Sequence, residues 1–152
     1  SVRFSVILLA HSVEKIFWHQ PIEGVVNNGD WDMASVLLAE EGVPRKFYPA
    51  QSALSNMLGP QPVFAGEMIF PESYFGADSS KLYGYAFHCG SRAVLIAWAT
   101  KDVTKAMTLR TGIDVFDIMG NPVPQLSTFG SSPVYLVSTS NSAAYLTDAW
   151  LP

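Results

Sequence analysis

Residues Ile113 to Pro124, IDVFDIMGNPVP, followed after a short gap by Ser132 to Ser138, SPVYLVS, decide how the rest of the chain is read. Val115 and Phe116 open a strand, Gly120-Asn121-Pro122 turns the chain, and Val134 to Val137 form a second apolar run. β-Branched and aromatic runs flanking a Gly-Asn-Pro turn read as paired strands. The pair closes a β-sheet domain.

Working back towards the N-terminus, Arg92 to Thr100 (RAVLIAWAT) is a continuous apolar strand, and Leu82 to Cys89 (LYGYAFHC) carries aromatics at 83, 85 and 87. Gly90-Ser91 between them fits a tight hairpin. Val63 to Phe70 alternates loosely and Lys105 to Arg110 is a further short strand. About six strands at close intervals predict an antiparallel β-sandwich over residues 61–152. The residues after Thr139 fit either a docked tail or a disordered one.

The first 60 residues differ. Apolar positions 2, 6, 9, 10 and 13, with Phe4 and Ile7 beside them, follow a helical period, and so few charges suit a helix packed on a sheet. Glu14 to Gln20 (EKIFWHQ) contains the compact run Ile16-Phe17-Trp18, which predicts a strand buried on both faces. A long loop occupies 21–44. Arg45 to Leu58 is a second helix, with Pro49 in its first turn and Gly59-Pro60 stopping it.

Composition narrows the function classes. Of 152 residues, 49% are hydrophobic and 14% charged, which is the balance of a core-rich folded chain. A formal net charge of -4 offers no basic stripe for phosphates and argues against nucleic acid. No apolar run approaches the roughly 18 residues of a membrane span. The single cysteine, Cys89, excludes an internal disulfide and reads as a small buried hydrophobe. The start at Ser1, with no initiator Met and no secretory signal pattern, reads as a segment internal to a longer gene product.

The closing pair resembles the last strands of the C-terminal β-sandwich found in many retaining glycoside hydrolases with a (β/α)8 barrel: a strand ending in Asp117, the Gly120-Asn121-Pro122 turn, then Ser132-Pro133-Val134-Tyr135-Leu136-Val137. Residues 1–60 are similar to the end of such a barrel: a helix ending near His11 to Glu14, an eighth strand with Phe17-Trp18, a loop, a return through Gly42-Val43-Pro44-Arg45-Lys46, and an eighth helix. The fold class that the resemblance implies is α+β, a mainly antiparallel β-sandwich preceded by a helix-strand-helix remnant of a barrel. The sandwich is expected to brace the barrel through the helix at 45–58.

In hydrolases of this kind the acid/base carboxylate follows strand four and the nucleophile strand seven. Both would precede Ser1. Retaining hydrolysis needs two carboxyl groups held about 5 to 5.5 Å apart. Glu23, Asp30 and Asp32, all in the long loop, read as solvated charges, so no catalytic residue is assigned. The resemblance makes Trp18 a sugar-stacking platform at the end of the eighth strand, with a large flat apolar face and one donor on its edge. His19 reads either as a capping or structural histidine or as a hydrogen-bonding neighbour for a sugar hydroxyl, and Trp31 is a second candidate platform in the loop. Trp98, within VLIAWA, belongs to the core.

No metal is expected, because His11 and His19 lie on different elements and His88-Cys89 point to opposite strand faces. No phosphate loop or nucleophile elbow is present, and no cofactor is expected. The expected partner is carbohydrate, through a parent barrel. The strand at 15–19 would lack barrel neighbours in the chain alone, and its edge offers a route to self-association.

Overall fold

The computed structural model describes residues 2–17, 44–68, 82–100, 108–140, 142–143, 146 and 150–151. They form an α+β fold: helices α1 (Val2–Ala10) and α2 (Phe47–Leu58), then strands β1 (Val63–Glu67), β2 (Leu82–Cys89), β3 (Arg92–Ala99), β4 (Thr108–Leu109), β5 (Ile113–Phe116), β6 (Val134–Ser138) and β7 (Trp150–Leu151). Five strands make one antiparallel sheet in the order β1-β2-β3-β6-β5. The stretch that decides the reading supplies β5 and β6, which pair from Ile113↔Ser138 to Phe116↔Tyr135.

The hairpin forms where expected. Cys89 pairs with Arg92 across Gly90-Ser91, and Gly90 takes φ 66°, which a side chain would disfavour. β3 is central, and both of its faces are buried. Val94, Ile96 and Trp98 point to the helices, while Ala93, Leu95, Ala97 and Ala99 point the other way. This alternation is the period-2 geometry of a strand.

On the first face α1 contributes Val2 and Val6, and α2 contributes Ala50, Leu54, Met57 and Leu58. They lie on Tyr85, Phe87, Trp98 and Tyr135, with Tyr83 and Tyr85 each stacked on Trp98 at 5.6 and 5.5 Å. Arg3 of α1 sits over the Trp98 ring, 5.9 Å from its centroid, a cation–π contact. The second face is covered by Val123, Leu126 and Phe129 from the β5–β6 connection, by Leu146, and by Leu109 of β4. The tail does dock: Trp150 pairs with Leu109 and Leu151 with Thr108.

Two expectations need correction. The apolar period runs to Val13, but α1 ends at Ala10 because Ser12 turns to φ 64°, left-handed backbone. Val13 N–H then donates to Leu8 O at 3.0 Å and Ser12 N–H to Leu9 O at 3.2 Å, the paired bonds of a Schellman stop. The strand expected at 14–20 is not formed in its described part. Residues 13–17 have no regular structure, and Phe17 is 87% exposed. A strand buried on both faces needs strands on both sides to satisfy its backbone, and among the described residues none lies beside it.

Candidate functional site

The sheet positions α2 by three means. The helix buries an apolar stripe, Ala50, Ala53, Leu54, Met57 and Leu58, at helical spacing. The turn after β5 comes up against the same helix: a Cβ at Gly120 would lie 3.3 Å from Ala53 Cβ, and Gly120 holds φ 85°. Finally, Arg92, beside the β2–β3 hairpin, donates from its Nη2 to the carbonyls of Asn56 and Met57, both at 2.7 Å. A cation there satisfies carbonyls left open at a helix C-terminus and lies at the negative end of its dipole.

The turn itself is stiffened by Asp117. Its Oδ1 accepts from the N–H groups of Met119 and Asn121, both at 2.8 Å, and Asn121 Nδ2 donates to Oδ2 at 3.0 Å. Burial pushes this carboxyl upward, but the hydrogen bonds from Asn121, Met119 and Gly120 outweigh it and hold the carboxyl below its ordinary value. Asp117 therefore shapes the turn: Met119 and Asn121, both of that turn, donate to its carboxylate.

Between the helices runs an open groove of about 630 Å³, with Leu9, Ile16, Leu54 and Leu58 among its apolar lining. Ser5 is buried there, and its Oγ accepts from Gln51 Nε2 at 3.3 Å. Tyr48, Ser52, Ser55 and Glu14 add polar groups. Ile16, just after the end of α1, is part of that lining. Among the described residues Glu14 is the one carboxylate of the lining.

Trp18, His19 and Trp31, with Glu23, Asp30 and Asp32, lie outside the described residues. Trp98 is core, buried beneath Tyr83 and Tyr85. Cys89 is half-buried at the end of β2 rather than fully buried, and burial, partly offset by Arg92, pushes its thiol up to about 11. It is a thiol at neutral pH, not a nucleophilic thiolate. Among the described residues no group of three or more His, Cys, Asp or Glu could hold a metal, and no helix is long and apolar enough to cross a membrane.

Ser5 and Gln51 were not singled out from sequence. The signal for Ser5 is its spacing, a hydroxyl on the stripe that carries Val2, Val6 and Leu9. Arg92 had no local signal, because its partners lie 36 and 35 residues earlier. No protein-family model matches the chain, and a search of curated proteins returns no match.

Proposed function

We propose that this chain is the C-terminal part of a retaining (β/α)8 glycoside hydrolase, in which an accessory β-sandwich braces the last helix of the barrel. The observation that carries the reading is the way the sheet grips α2, by an apolar stripe, the Gly120 approach and the Arg92 cap. The β4–β7 ladder supports the sandwich, because Leu109 packs on the sheet face opposite the helices, where a second sheet would lie. In this reading α1 and α2 flank a last barrel strand at 14–20 that forms only beside its barrel neighbours. Trp18, His19 and Trp31 would line the sugar site of the parent enzyme.

The chain alone is then not a catalyst, since both carboxylates would belong to upstream strands. An assay of the 152-residue protein on a panel of aryl glycosides should give no turnover above buffer. Turnover that survives repurification would sink the proposal.

A second reading is favoured by one observation, the exposure of Phe4, Phe17, Val63 and Phe64. Exposed apolar groups of this size mark contact surfaces when they cluster. The chain would then be a free-standing module that binds carbohydrate or pairs with a second copy through residues 14–20. Quenching of tryptophan fluorescence by oligosaccharides would favour carbohydrate binding. A concentration-dependent dimer in sedimentation would favour pairing, and a monomer with unchanged spectra would discard both.

A further inference from the structure

We draw no further inference here: the strongest candidate, the open groove between α1 and α2, carries nothing because Ser5 Oγ within it is already bonded to Gln51 Nε2 and nothing in the structure shows what covers its apolar lining.

Discussion

The two faces of the five-stranded sheet are made by the same strands and are covered in opposite ways. Beneath the helices the sheet presents large rings, Tyr85, Phe87, Trp98 and Tyr135, packed to each other and to the stripes of α1 and α2. On the other face it presents Ala86, Ala93, Ala97 and Ala99, with Leu95 and Leu136 between them. A helix axis stands well off a sheet, so the layer between must be filled by bulky side chains. Extended chain lies close, and small residues permit its approach. Phe129 of the covering connection is fully buried on this face, and next to it Ala99 N–H donates in the plane of the sheet to Gly130 O at 2.9 Å. Residue size on alternate positions of β3 therefore corresponds to which layer covers which face.

If both layers share the stability, one truncation on each face should be similarly harmful. Trp98→Ala and Phe129→Ala are each expected to destabilise by about 3 to 5 kcal/mol, measured by urea unfolding. A loss below about 1 kcal/mol for Phe129→Ala would reduce the second layer to cladding. A smaller effect tests the contact between turn and helix. Gly120→Ala places a methyl 3.3 Å from Ala53 Cβ on backbone at φ 85°, and about 1 to 3 kcal/mol should be lost. Unchanged stability would mean that α2 is not seated on this turn.

Arg92→Ala removes the donor to Asn56 O and Met57 O, and about 1 to 2 kcal/mol is expected, with amide exchange quickening first in the last turn of α2. If exchange quickens uniformly, the cap is incidental. The smallest effect concerns pH. Asp117 has a folded pKa below its unfolded one, so its contribution is present above the unfolded carboxylate value of about 3.9 and fades as pH falls through the folded pKa. The stability difference between the protein and Asp117→Ala should shrink on acidification below about pH 4. A difference that persists at pH 2 would assign the effect to lost packing rather than to charge.

Much of the sheet is legible from sequence for local reasons. β2 and β3 are apolar runs joined by Gly90-Ser91, and β5 and β6 flank Asp117 to Pro122, so chain chemistry and turn agree. Reading failed where partners are distant. Ile16-Phe17-Trp18 has the composition of a buried strand, but burial depends on neighbours that the run does not encode, and Phe17 is exposed. Ser12 carries no glycine-like signal, yet its left-handed backbone ends α1. Of the site, Gly120 was visible as part of a turn but not as a seat for α2, because Ala53 lies far away in sequence. Trp18, His19 and Trp31 stay expectations that follow from the resemblance.

One measurement bears most directly on the proposal that this sheet braces a barrel: the mass of the native polypeptide in its source, detected with an antibody raised against residues 108–140. The proposal predicts a species several times 16.6 kDa, carrying the barrel strands and both carboxylates ahead of α1. A native polypeptide of 16.6 kDa would contradict it, and the exposed surface around Phe4, Phe17 and Val63 would then mark a module that works by binding or self-association.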